Sequence, residues 1–322
     1  YNTVSAMAGS SSAIRITGMP RRIPAILLPM NYRHAFHAGN HADVLKHIIL
    51  LALLDALKKK DTPFFVLDTH AGRGRYLLAA PESRKTGEAD AGILRLMGEA
   101  RMPEVLERYL RAVEANNPVG ALIAYPGSPL LVAQSLREQD RLAACELQPE
   151  EAVALKELFA HDPRVAVHAR DGYTAMKAML PPKLGTTKFA RGLVLIDPPY
   201  EVQENEYPQI ISTVRDALER WPQAMFAIWY PIKLRRSLQP FFRKVAALPA
   251  KSVLLAELID YVRQGFVLSG DESLDDETSG RRLLQHLIVP HPLTPYSRNY
   301  FYPQAGSRLF TYAADWLPAL NP

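Results

Sequence analysis

A single cysteine, Cys145, stands in 322 residues, so an intramolecular disulfide is excluded. Its neighbours Leu142, Ala143 and Ala144 make it a small buried strand residue, as expected in a reducing compartment. Long apolar runs are also lacking. The segment 48–54 is far short of the roughly 20 residues a membrane-spanning helix needs, so no membrane association is expected. No acidic residue precedes Asp43, whereas Arg15, Arg21, Arg22 and Arg33 lie among small and serine residues. That bias resembles a transit peptide, but the stretch has no amphipathic period. Residues 1–29 are therefore expected to be a flexible or artefactual extension, with the working protein beginning near Met30. No internal repeat or low-complexity tract stands out, and residues 270–280 read as a polar, acidic loop. What remains is ordinary globular composition, 48% hydrophobic and 22% charged, with a net charge of +5. That mild basic excess is compatible with a polyanionic partner and decides nothing alone.

Residues 43–60 carry Val44, Leu45, Ile48, Ile49, Ala52, Leu53, Ala56 and Leu57 at a 3.6-residue period, which predicts an amphipathic helix capped by Asn40. The run Phe64-Phe65-Val66-Leu67 then ends in Asp68-Thr69-His70-Ala71-Gly72-Arg73-Gly74, a buried strand entering a glycine turn. Apolar runs at 142–145, 165–169 and 193–196 have the same form and deliver Glu146, Asp171 and Asp197 at their carboxyl ends. Helical stretches at 130–139, 150–159 and 173–179 alternate with them, and a strand at 225–230 follows. The order predicts a doubly wound, Rossmann-like parallel α/β sheet, in which ligands bind outside the carboxyl ends of the strands. Asp68, Glu146, Asp171 and Asp197 would thus face one crevice. The first helix and strand occupy 30–76; a small helical subdomain is expected at 77–120, inserted after the first strand, with helices at 93–97 and 105–113. The rest of the domain fills 121–322, with 309–313 as a terminal strand.

Two motifs carry chemistry. In the Gly72-Arg73-Gly74 turn, the third glycine of a dinucleotide fingerprint would fall at Leu77, which disfavours a nicotinamide oxidoreductase, and no phosphate-loop lysine is present. A nucleoside ligand without pyrophosphate, S-adenosylmethionine, suits the turn better, with Glu146 accepting from both ribose hydroxyls. The stronger signal is Asp197-Pro198-Pro199-Tyr200 after Gly192-Leu193-Val194-Leu195-Ile196. An adenine N6 lone pair is delocalised into the ring and needs acceptors to localise it. The Asp197 carboxylate and the Pro198 carbonyl can each take one N6 hydrogen, the second proline holding that carbonyl outward. Tyr200 would offer a face for an extruded base. The same geometry suits DNA adenine, cytosine N4 or a protein glutamine. Lys46 and His47, on the helix beside the turn, would serve a cofactor carboxylate or an RNA backbone. A metal on His34, His37 and His41 is disfavoured, since no acid or cysteine completes the set nearby.

The blocks Tyr32 to His47, Leu67 to Tyr76 and Tyr125-Pro126-Gly127-Ser128-Pro129, with the Asp197 tetrapeptide, resemble the bacterial 23S ribosomal RNA adenine-N6-methyltransferases that act on free RNA. The likeness spans about residues 30–256. It implies a cytoplasmic, monomeric class I methyltransferase in which His47, His70, Ser128, Glu146, Asp171 and Gly172 contact S-adenosylmethionine. It further implies that Asp197 is the catalytic acceptor and that Tyr32 touches 23S ribosomal RNA. Residues 260–302, from Asp260-Tyr261-Val262-Arg263 onward, depart from the pattern, so a binding module without catalysis is the alternative.

Overall fold

The computed structural model describes residues 37–78, 80, 88–97, 102–200, 203–232, 238–256 and 309–312. Contacts divide the chain into Tyr1–Tyr32 and Arg33–Pro322, and everything described belongs to the second unit. Tyr32, His34, the extension 1–29 and the atypical stretch 260–302 lie outside the described residues.

Helix α1 (His41–Lys58) starts where Asn40 caps it, its side chain accepting from the Asp43 amide at 2.9 Å, and leads into strand β1 (Phe64–Asp68). After the short β2 (Arg75–Leu77) come a π-helical turn (Asp90–Leu94), α2 (Arg95–Met97), α3 (Glu104–Glu114) and β3 (Ala124–Pro126), which pairs antiparallel with β2. The regular alternation then runs α4 (Ser128–Ser135), β4 (Arg141–Glu146), α5 (Pro149–Leu158), β5 (Val165–Ala169) and α6 (Gly172–Met179). A small hairpin, β6 (Lys183–Leu184) and β7 (Thr187–Lys188), precedes β8 (Arg191–Ile196), α7 (Gln203–Arg220), β9 (Ala224–Ile228) and α8 (Gln239–Ala246).

The central sheet has the order β5-β4-β1-β8-β9 with every pairing parallel. The chain leaves β1 in one direction to β4 and β5, then returns to its other side with β8 and β9. The end of β1 is therefore the switch point at which doubly wound sheets open a crevice. Side-chain alternation divides the core into two layers. On one face Phe64 and Val66, Leu142 and Ala144, and Leu193 and Leu195 pack with α1, α3 and α4. On the other, Phe65 and Leu67, Ala143 and Cys145, and Val194 and Ile196 pack with α6, α7 and α8. Strand β1 is buried along its whole length, as a central strand covered on both faces must be.

One expectation needs correcting. Residues 309–312 form β11 (Leu309–Tyr312), but it pairs parallel with β10 (Val253–Ala256) in a separate two-stranded sheet and does not extend the central one. Apolar composition identifies a strand without naming its neighbour, which long-range pairing decides. Among the described residues, no helix is long and apolar enough to cross a membrane.

Candidate active site

The turn after β1 is tied to both neighbouring strands. The Thr69 amide donates to the Leu195 carbonyl at 3.0 Å and the Ala71 amide to the Cys145 carbonyl at 2.9 Å, so the backbone stays fixed one step beyond the sheet. Gly72 and Gly74 both have positive φ, 61° and 78°. A Cβ on Gly72 would lie 2.1 Å from the Tyr76 hydroxyl, so the turn has no room for a side chain.

Four acids collect at this edge. Asp68 is wholly buried, accepts from the Ser128 hydroxyl at 2.6 Å and from the His70 amide at 3.3 Å, and has its pKa pushed up to about 7. Burial is the main cause, opposed by the Ser128 hydrogen bond and reinforced by the Asp197 charge. Glu146 is 9% exposed; its two oxygens accept from the amides of Gly72 at 2.8 Å and Gln148 at 2.7 Å. Burial raises its pKa against those same hydrogen bonds. Asp171 caps α6, accepting from the Thr174 amide at 2.7 Å. Gly172 follows where a Cβ would sit 2.2 Å from the Thr69 carbonyl, so only glycine lets α6 dock on the β1 turn.

Asp197, at the end of β8, meets Lys46 of α1: Nζ donates to Oδ2 at 2.5 Å and also lies 3.0 Å from Asp43 Oδ1. Lys46, expected against RNA, is 9% exposed and held between two carboxylates, so a phosphate would have to compete with both. Its neighbour His47 is 1% exposed, with Nδ1 at 2.8 Å from the Tyr125 hydroxyl and its ring stacked on Tyr125. His70 stands edge-on to Tyr173 with ring centroids 5.4 Å apart; burial holds its pKa down at about 4 against the charges of Asp197 and Asp171.

Tyr200 differs from expectation. Its backbone φ is +52°, a conformation that costs a non-glycine residue about 1–3 kcal/mol, and its hydroxyl donates to the Trp229 carbonyl. At 3% exposure, with its ring against Tyr207, it presents no open face for stacking. The side chain acts here as a brace between the strand exit and β9. Pro198 lies between Asp197 and this brace, in the irregular stretch that follows β8. His37, weighed as a metal ligand, instead lies 3.0 Å from both oxygens of Glu88, which also accepts from Asn40.

Sequence reasoning missed the partners. The Asp68–Ser128 pair, the reach of Lys46 to Asp197, and Tyr125 behind His47 arise from contacts between distant segments that no local spacing announces, whereas Asp43 beside Lys46 is an i,i+3 pair on α1 that the helical spacing could have shown.

Comparison with known proteins places this edge in context. A Ribosomal RNA large subunit methyltransferase J of Escherichia coli (strain K12) is 41% identical over 244 residues, covering 75% of this chain and 85% of the relative. The protein of the same name from Haemophilus influenzae is 38% identical over 286 residues, covering 85% of this chain and all of the relative. A solved structure, protein LPL1258 from Legionella pneumophila, superposes with a TM-score of 0.61 at 36% identity, covering 67% of this chain and 77% of that one. The family model described as "Ribosomal RNA large subunit methyltransferase D, RlmJ" matches residues 61–263, more than half of the sequence. This chain therefore belongs to the ribosomal RNA large subunit methyltransferase family that the model describes.

Proposed function

We propose that this protein, acting as a monomer on protein-free 23S ribosomal RNA, transfers a methyl group from S-adenosylmethionine to the exocyclic N6 of an adenine. The observation that carries the reading is the Asp197-Pro198-Pro199-Tyr200 exit from β8, set beside the β1 switch point and braced by Tyr200 against β9. Family membership favours an RNA substrate over DNA or polypeptide.

The residues fit the cofactor. Two backbone amides already orient Glu146, and a carboxylate has about four lone-pair positions, so two remain for a pair of ribose hydroxyls. Gly72, at positive φ, donates its amide to Glu146 and so ties the turn to that carboxylate. When bound, S-adenosylmethionine supplies an electrophilic methyl group on a sulfonium. Asp197 and the Pro198 carbonyl accept the two N6 hydrogens, which localises the lone pair on nitrogen. Lys46 holds the Asp197 carboxyl in place through a short charge-assisted hydrogen bond, and Asp43 retains the ammonium if the Oδ2 contact is given up to substrate. Asp197 Oδ2 then takes the surplus proton and passes it to solvent.

Tritiated S-adenosylmethionine offered to protein-free ribosomal RNA, duplex DNA and polypeptide is expected to label RNA alone, as N6-methyladenine. Asp197→Ala is expected to reduce that rate by about 10²–10³-fold, the usual effect of removing one preorganised polar group. Label in DNA alone, or an unchanged rate in the variant, would overturn the assignment.

A further inference from the structure

Asp197 follows β8, and the stretch beyond it takes its position from where α7 begins, at Gln203. The start of α7 is weak as a helix. Pro208 lies inside it, has no amide to donate to the carbonyl four residues earlier, and crowds that carbonyl with its ring. Contacts with other segments must therefore fix this turn, and two adjacent residues make them. The Tyr207 ring centroid lies 5.7 Å from that of Tyr200, and the same ring is stacked on Phe241 at 4.3 Å. Glu206 Oε2 accepts from the Tyr173 hydroxyl at 2.7 Å.

The donor of that hydrogen bond belongs to the proposed cofactor side. Tyr173 follows Gly172 on α6, is 5% exposed and stands edge-on to His70. Burial first, and then the Glu206 carboxylate, raise its pKa, so the phenol keeps its proton and donates it. Helices α6 and α7 each follow the carboxyl end of a strand in the parallel sheet, so both start at the site and run away from it. Their far ends are joined separately. Arg220, the last residue of α7, donates to the carbonyls of Met176 at 3.3 Å, Lys177 at 2.9 Å and Leu180. The Tyr173–Glu206 bond joins the near ends, between the residues proposed to hold the cofactor and the segment proposed to hold the target amine.

We infer that Glu206 is a positioning residue for methyl transfer: by accepting from Tyr173 it sets the start of α7, and with it the Asp197-Pro198-Pro199-Tyr200 exit, against the cofactor-side helix. The inference rests on the proposed function for the reaction it serves. Asp171 and Gly172 have anchors of their own, in the Thr174 amide and in the close seat on Thr69. Loss of the bond therefore disturbs the alignment of methyl donor and acceptor and leaves cofactor binding intact. Alignment matters because the reacting atoms must be held at near-attack distance, where small displacements cost large factors in rate.

Steady-state methylation of protein-free ribosomal RNA by the full chain tests this, with calorimetry and thermal unfolding on the same samples. Glu206→Ala is expected to lower kcat about ten- to a hundredfold and to leave the affinity for S-adenosylmethionine unchanged. Glu206→Gln keeps an acceptor for the phenol and should restore most of the rate. Tyr173→Phe removes the hydroxyl alone and should match Glu206→Ala, and the double variant should be no slower than either single one, because both remove the same bond. A merely structural role would lower the melting temperature and leave kcat of the folded protein at the wild-type value. Wild-type kcat in Glu206→Ala, a Glu206→Gln variant as slow as Glu206→Ala, or losses that multiply in the double variant would each overturn the inference. Tyr173→Phe decides alone if Glu206→Ala fails to fold, since a wild-type kcat there is equally fatal. A wild-type protein that does not methylate RNA would instead overturn the proposed function, and this inference with it.

Discussion

At the scale of single residues, Asp68 sets the most demanding condition on this edge. It is fully buried and its pKa stands near 7, against 3.8 for an ordinary aspartate. Between those values the folded chain holds a proton that the unfolded chain has lost. The stability this protonation contributes is therefore complete below about pH 4 and disappears as pH rises through about 7, at up to about 1.4 kcal/mol per pH unit. Asp68→Asn keeps a neutral acceptor for Ser128 at every pH, so denaturant unfolding between about pH 5 and 8 should show the variant gaining on the wild type as pH rises. A wild-type–variant difference independent of pH would show that Asp68 titrates normally. The acids at the strand ends could be read in sequence because a strand ending in Asp or Glu before a turn is a local pattern. Their environment could not: Lys46 reaches Asp197 across 151 positions and Ser128 reaches Asp68 across 60. Tyr200 illustrates the limit. Its place in the tetrapeptide was legible, whereas the positive φ and the Trp229 contact that bury its ring depend on where β9 lies.

At the scale of elements, the close docking of α6 on the β1 turn is the feature a single methyl group would break. A Cβ at position 172 would approach the Thr69 carbonyl to 2.2 Å and the Thr69 Cβ to 2.7 Å, and neither is the movable end of a flexible side chain. Gly172→Ala should therefore lower stability by about 1–3 kcal/mol, the range for overpacking, and displace Asp171 and His70 together. Thermal unfolding and S-adenosylmethionine calorimetry on the same sample check this; a melting temperature within a degree of wild type would mean the helix has slack to move. Strand and helix alternation was plain in sequence because each strand is a short apolar run and each helix carries its own period or cap, as with Asn40 in front of α1. Helix α7 is harder to read: Ile210, Ile211, Val214, Ala217 and Leu218, all buried, follow that period, but its polar first half, Gln203 to Gln209, reads as loop. The pairing of β11 with β10 was illegible for a different reason, since a strand's partner is chosen by packing and not by its own composition.

At the scale of the whole molecule, the site draws on both halves of the sheet and on both core layers. Asp68 comes from β1, Glu146 from β4 on one side, Asp197 from the end of β8 on the other, and His47 and Lys46 from a helix packed over one face. A ligand seated at such a switch point bridges segments that otherwise meet mainly through the core, so its binding energy adds to the stability of the entire domain and not of one loop. With S-adenosylmethionine at about 100 times its dissociation constant, the folded state should gain about 2.7 kcal/mol. For a domain of this size that is a rise in melting temperature of roughly 5–10 °C. The rise should track ligand concentration logarithmically and appear in a single cooperative transition. Glu146→Ala removes the carboxylate that the Gly72 and Gln148 amides hold in place, and should abolish most of the shift while leaving the ligand-free melting temperature comparatively little changed, because both amides lie in turns at the edge of the sheet, where water can replace the lost acceptor. If the cofactor instead stabilised Glu146→Ala as fully as the wild type, the nucleoside would have to sit somewhere other than the end of β4.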